Sequence, residues 1–304
     1  MPVTDVVFPL TPRRRLIGLS FGGMRSARRG TGTDVAGSRP YRPGDDMRAI
    51  DWAASARLSA AQSSDEFVVR ERFADEAPRV VIVADRRPEM ALYPAWSPWL
   101  SKPDAARIAA TMIADSTVAA RGLSGYVDFG DGGPTPYWRP PRSQHDDWRL
   151  EPRRPFRAPQ DTVTRSLDHL FELRPPLLAG TFVFVISDFV VEPDEEQWLR
   201  AVERRWDLVP VVVQDPTWER SFPPIGGISL PVVEPQTGRT SFLRLTQREA
   251  VAQRRHNEER WERLQRLFAG LDLDPVLLTS ADPAAILDVF TSWSEGRHLW
   301  RERR

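Results

Sequence analysis

Two short apolar runs of this chain end in an acid. Residues 79–85 (RVVIVAD) and 181–188 (TFVFVISD) have the β-branched and aromatic content of strands buried on both faces. In sheets built from alternating strands and helices, ligand crevices lie beyond the carboxyl ends of the strands. Asp85 and Asp188 are therefore the first candidates for chemistry, and neighbouring strands would bring them close together. Arg86, Arg87 and Glu89 follow directly behind Asp85. A strand-end aspartate can act as a phosphoryl acceptor. That chemistry wants a second acid two residues on, and Arg87 stands there instead. Arginine offers only donors and keeps its charge. Three arrangements are open. Arg87 or Arg86 lies in the crevice and neutralises Asp85, Glu89 and Asp188. Alternatively, both arginines turn outward and the three carboxylates hold a hard cation such as Mg²⁺. In the third, an acidic side chain of a partner meets the arginine.

Other catalytic signatures are missing. No G-x-x-x-x-G-K-[ST] cradle is present, and Gly122-Leu123-Ser124-Gly125 is not a nucleophile elbow. His145, His169, His256 and His298 are scattered outside the expected crevice. The chain has no cysteine, which excludes disulfides, a thiol nucleophile and a thiolate metal site, and suits a reducing compartment. Its 42 basic and 42 acidic residues cancel, so a bulk electrostatic footprint for nucleic acid is absent. Among the basic residues there is one lysine, Lys102, against 41 arginines. No window approaches the roughly 18 apolar residues of a membrane span, and the start lacks the order of a signal peptide. The expectation is a cytoplasmic protein without stable membrane insertion.

The densest patterning lies at residues 38–57 (SRPYRPGDDMRAIDWAASAR). Arg39, Arg42, Arg48 and Arg57 alternate with Asp45, Asp46 and Asp51 around Tyr41 and Trp52, which suits a buried ion-pair network. Pro43 pushes Arg42 into an extended conformation, Pro43-Gly44 predicts a turn, and Asp45 is placed to cap a short helix. Ile50 and Trp52 cannot share a helical face, so one docks inward while the other covers the Arg stems.

This tract resembles the signature of the domain of unknown function 58 family, R-x-Y-x-P-G-D-D-x-R-x-I-D-W-x-x-S-A-R. The match falls at Arg39, Tyr41, Pro43, Gly44, Asp45, Asp46, Arg48, Ile50, Asp51, Trp52, Ser55, Ala56 and Arg57. The resemblance implies a von Willebrand factor A-like fold whose crevice carries a metal-ion-dependent adhesion site, with D-x-S-x-S on the first strand, a loop Thr and a later Asp. Here Asp85 and Asp188 match the acids, but Arg87 and Glu89 replace both serines. Thr162 and Thr164 are candidates for the loop Thr. The resemblance thus implies a degenerate site and no cofactor. It also implies a non-enzymatic interaction module, partnered by a MoxR-type AAA+ ATPase in a chaperone-like or assembly role. The alternative is a metal-dependent hydrolase or phosphotransferase that uses Asp85 and Asp188 with Mg²⁺.

Around these residues the pattern predicts two regions. Residues 1–77 form a basic arm plus the signature region, docked on the rest. Within the arm, residues 1–37 carry arginine clusters and glycines and read as loosely packed. Residues 78–304 form the α/β domain, a mostly parallel sheet with helices on both faces and an inserted β-hairpin near 225–245. Pro210 within 208–213 predicts an edge strand or bulge. Pro134 and Pro140 bracket a short strand at 135–138. Thr246 with Glu249 predicts a capping box at the head of a long charged helix. Trp96, Trp99, Trp138 and Trp148 fall in loops, where they pack on Arg and Pro or anchor an interface.

Overall fold

The structure is a computed structural model, and it describes residues 7–13, 20–42, 47–62, 67–92, 100–143, 154–227, 229–235 and 237–302. Contacts divide the chain into two compact units, Arg14–Ala77 and a larger one made of Met1–Arg13 with Pro78–Arg304. Pro43, Gly44, Asp45, Asp46, Trp96, Trp99, His145 and Trp148, for which the sequence raised expectations, lie outside the described residues.

In the smaller unit, β1 (Ser20–Pro40) runs antiparallel to β2 (Val68–Glu76), with α1 (Trp52–Gln62) between them in sequence. The loosely packed arm is therefore corrected from Ser20 onward. Its glycine-rich stretch is paired, and irregular register shifts absorb the extra residues. The second half of the signature ties α1 to β2. An Asp51 carboxylate oxygen accepts the Ala54 N–H at 3.0 Å and caps α1. The Ser55 hydroxyl donates to the Asp51 carbonyl at 2.7 Å and accepts the Val68 N–H at 2.8 Å. Ile50 bridges to Val69 and is buried, whereas Trp52 is 60% exposed and stands edge-on to Phe67. Arg42, Arg48 and Arg57 are exposed, so the expectation of burial is corrected for these three arginines.

The larger unit alternates strands and helices: β3 (Arg79–Ala84), α2 (Lys102–Ala119), β4 (Leu123–Asp128), β5 (Tyr137–Arg142), α3 (Thr162–Glu172), β6 (Phe182–Ser187), α4 (Glu195–Glu203) and β7 (Asp207–Val213). A hairpin of β8 (Ser229–Val233) and β9 (Thr240–Arg244) interrupts the pattern, followed by α5 (Gln247–Gly270), β10 (Val276–Leu278) and α6 (Pro283–Glu302). The central sheet has the order β10-β7-β6-β3-β4-β5 and is parallel except for β5. The hairpin forms a separate two-stranded sheet.

Side chains alternate across the sheet, so each strand feeds two cores. Val81, Val83, Val183 and Val185 pack with Leu167, Trp198 and Phe268 from α3, α4 and α5. On the other face Phe184 meets Phe290 and Trp293 of α6. Phe8 stacks on Phe290 with centroids 4.5 Å apart, and its N–H donates to the Ser116 hydroxyl at 3.0 Å. Residues 7–13 thus pack within the larger unit rather than with the arm.

Two proline expectations are corrected. β7 is an interior strand, and Pro210 sits in it because β10 pairs only from Val211 onward. No ladder bond from that side is required of the missing N–H. β5 runs through Pro140 and Pro141 because it is the sheet edge and its register breaks there, and Trp138, expected in a loop, lies on this strand opposite Val127. Thr246 and Glu249 form the expected capping box.

Replacing Ser55 by Ala leaves the buried Val68 N–H without its acceptor. The expected cost is about 1–3 kcal/mol in denaturant unfolding, with faster hydrogen exchange at the Val68 amide.

Candidate functional site

β3 and β6 are neighbours in register, Val83 beside Val185 and Ala84 beside Ile186. From β3 the chain passes to β4 on one side, and from β6 to β7 on the other. The crevice between the two strand ends is therefore a topological switch point, the favoured place for a site in such sheets. Asp85 and Asp188 leave the sheet there. The Asp85 N–H still donates to the Ile186 carbonyl at 2.9 Å. Asp188 is followed by Phe189 at φ +50, and the Val190 N–H donates to Oδ1 of Asp188 at 3.0 Å.

Arg87 fills the gap between the two acids and is 2% exposed. Its Nε donates to both Asp85 oxygens at 3.1 and 3.0 Å, and Nη2 donates to Oδ2 at 2.7 Å. Nη2 also donates to Oδ1 of Asp188. The Arg87 backbone N–H adds a bond to Oδ1 of Asp85 at 2.9 Å, and the Ser187 hydroxyl donates to Oδ2 at 2.6 Å. Arg86 turns elsewhere: it donates to the Tyr126 hydroxyl at 3.0 Å and lies over the Phe156 ring. Asp128, at the end of β4, is held by Arg154 at 2.8 Å. Of the open arrangements, the geometry is thus the one with an internal guanidinium.

Glu89 joins this group through an intermediary. Gln160 donates to Oε1 of Glu89 at 2.7 Å and accepts from Nη1 of Arg87 at 3.3 Å. Thr162 opens α3 two residues later and is fully buried, whereas the carbonyl of Thr164 accepts from Gln197 on α4. Arg39, Tyr41, Arg48, Asp51, Trp52 and Arg57 belong to the smaller unit.

Sequence reasoning missed two members of the cluster. Lys102, at the first turn of α2, donates to Oδ2 of Asp188 at 2.9 Å and pairs with Glu219. It is only 8% exposed. One signal could have found it, since it is the chain's single lysine. Glu219 sits in the loop after β7, in sequence that carries no motif.

Burial works against ionising Asp188, but Lys102 and Arg87 outweigh it and hold its carboxyl down at about 2. Burial raises the Asp85 carboxyl above its ordinary value against the pull of Arg87, and the Asp188 charge adds to the rise. Burial also raises Glu219, opposed by Lys102. Lys102 is raised: burial favours loss of its proton, and the two facing carboxylates more than offset that. Chemically, the acids that would ligate a cation or accept a phosphoryl group are already engaged by side-chain donors. The Ser187 hydroxyl is occupied as well, donating to Asp85 and accepting the Phe189 N–H at 3.0 Å. Among the described residues, no three His, Asp or Glu side chains converge as a metal site would need.

Replacing Arg87 by Met removes the guanidinium paired with buried Asp85 and leaves Asp188 to Lys102 alone, at an expected cost of about 3–5 kcal/mol by denaturant unfolding. The acid limb follows from Asp188. Its folded carboxyl lies below the ordinary 3.8, so ionisation favours the fold above that value, and this stability is lost as pH falls toward about 2. Acid unfolding of Asp188→Asn should lack this limb.

Comparison with known proteins places the chain. Uncharacterized protein Rv1480 of Mycobacterium tuberculosis and Uncharacterized protein Mb1516 of Mycobacterium bovis are each 27% identical to it over 226 residues, covering 73% of this chain and 67% of theirs. Among solved structures, the conserved hypothetical protein BatB from Bacteroides thetaiotaomicron is 14% identical, covers 72% of this chain and 99% of its own, and superposes with a TM-score of 0.45. An uncharacterized membrane spanning protein from Vibrio fischeri, also 14% identical, covers 70% and 97% with a TM-score of 0.22. Both superpositions are too loose to carry an argument. Among the described residues, no helix is long and apolar enough to cross a membrane. The family model described as Protein of unknown function DUF58 matches residues 37–264, a span that takes in the signature from Arg39 onward and every member of the crevice cluster, and the chain belongs to that family.

Proposed function

We propose that this chain is a non-enzymatic protein-interaction module working in the cytoplasm, built on a von Willebrand factor A-like fold whose adhesion site has lost its metal. One observation carries the reading: the guanidinium of Arg87 bonds to both Asp85 and Asp188, where a divalent cation would otherwise bridge them. A cation would have to displace a buried, multiply bonded arginine and leave its charge unpaired. The same contact counts against a hydrolase or phosphotransferase, because it leaves Asp85 no room to accept a phosphoryl group or to orient a metal-bound water. The partner class, a MoxR-type AAA+ ATPase in a chaperone-like or assembly role, is what the family resemblance implies, and fold analogy alone does not supply function.

Calorimetric titration of the native chain with Mg²⁺ and Mn²⁺ should give no heat of binding, whereas an Arg87→Ser, Glu89→Ser double variant should gain it. Native-chain binding at micromolar metal, with turnover lost in Asp85→Ala, would overturn the reading in favour of metal-dependent catalysis. In parallel, a MoxR-type ATPase should co-elute with the chain on size exclusion in the presence of a metal chelator.

A further inference from the structure

Four members of the crevice cluster, Glu89, Lys102, Asp188 and Glu219, line a cavity of about 650 Å³, within the range of built ligand sites. Its walls are mostly apolar. Leu100, Trp218, Phe222 and Val232 contribute, and Trp218 meets Phe222 edge to face at 5.4 Å. Residues 230–233 of β8 all line it, a run of roughly 10 Å at the rise of a strand. That length suits an extended segment better than a compact small molecule.

The hairpin wall is anchored rather than loose. The Gly226 N–H donates to Oε1 of Gln247 at 2.8 Å, and Nε2 of Gln247 donates to the Pro224 carbonyl at 2.8 Å. A Cβ at position 226 would come within 2.2 Å of the Gln247 backbone nitrogen, so only glycine permits this approach. The entry to β8 is thereby fixed to the first turn of α5.

The charges of the cavity name its ligand. Asp188, Asp215 and Glu219 line it with one cation, Lys102, while the Arg87–Asp85 pair stands off the wall, so the wall holds no surplus positive charge. Arg220 and Arg260 feel the Glu219 charge but do not line the cavity. Glu89 does line it and adds another carboxylate. Its Oε1 accepts from Gln160, while Oε2 is buried and has no hydrogen-bond partner among the described residues.

The geometry points to a docking groove for an extended apolar segment of a partner protein that carries one basic side chain. The cation faces the Glu89 carboxylate on the cavity wall, and the flanking apolar residues lie against Trp218, Phe222 and Val232. This rests on the reading of the chain as an interaction module, and it gives the chemistry of the segment recognised.

The test pans a random decapeptide phage library on the intact, immobilised chain. Recovered peptides should carry Arg or Lys between aromatic or aliphatic residues. Their synthetic versions should bind Glu89→Gln about tenfold more weakly or worse, the loss of one charge-assisted hydrogen bond. Val232→Arg, a change on the partly exposed wall, should weaken them similarly, and Arg255→Gln on the exposed face of α5 should not. Thermal unfolding of each variant confirms that it is folded. The groove is overturned if no peptide is recovered, if the consensus is acidic or uncharged, or if affinity is unchanged in Glu89→Gln. Failure of the broader reading looks different. Peptides that need Glu89, without ATPase binding, keep the groove and remove the partner class. ATPase binding indifferent to Glu89→Gln and Val232→Arg keeps the module and removes the groove.

Discussion

Two acids at the ends of adjacent strands cannot both stay ionised in a dry crevice without a cation between them. In this chain the cation is covalent. Arg87 is set by three features acting together: its own N–H bond to Asp85, the Pro88 that turns the chain directly after it, and the Ser187 hydroxyl that fixes Asp85 from the neighbouring strand. The far side is shaped by Phe189. A bulky residue at positive φ is strained, and here the ring is buried against Trp198 and Phe268, which offsets the cost. The hydrophobic core on one face of the sheet thus helps aim a carboxylate at the crevice.

Lys102 extends the same logic away from the sheet. It occupies the first turn of α2, where the helix dipole favours anions rather than cations. Only the paired carboxylates of Asp188 and Glu219 make that position tenable. Glu219 belongs to the loop that leads into the hairpin, and its other oxygen accepts the Asp215 N–H at 2.8 Å. The charge cluster therefore reaches from the centre of the sheet to the loop that precedes the cavity wall. An ammonium with three freely disposed donors can serve two carboxylates from one point, whereas a planar guanidinium demands a fork.

Most of the larger unit was legible in sequence because parallel strands buried on both faces leave continuous apolar runs, and 79–85 and 181–188 are such runs. Thr246 and Glu249 announced α5 through local chemistry alone. Pairing partners were less legible. Pro210 looked like an edge residue because its tolerance depends on how far β10 extends, a non-local fact. β1 was hidden because glycine and arginine carry little strand propensity and its pairing with β2 is repeatedly interrupted. In the crevice, Asp85, Arg87 and Asp188 could be located because strand ends are predictable. Glu219 could not, since its role comes from a loop trajectory that no residue pattern encodes.

The isolation of Lys102 has a consequence for the chemistry of the folded protein. With 41 arginines and one lysine, the chain offers a single side-chain amine, and that amine is withdrawn from solvent between two carboxylates. Acylation at a side-chain amine, whether by a reagent or by an enzyme, therefore has one target and must wait for the crevice to open. The rate at which Lys102 is modified would measure how often the charge cluster comes apart.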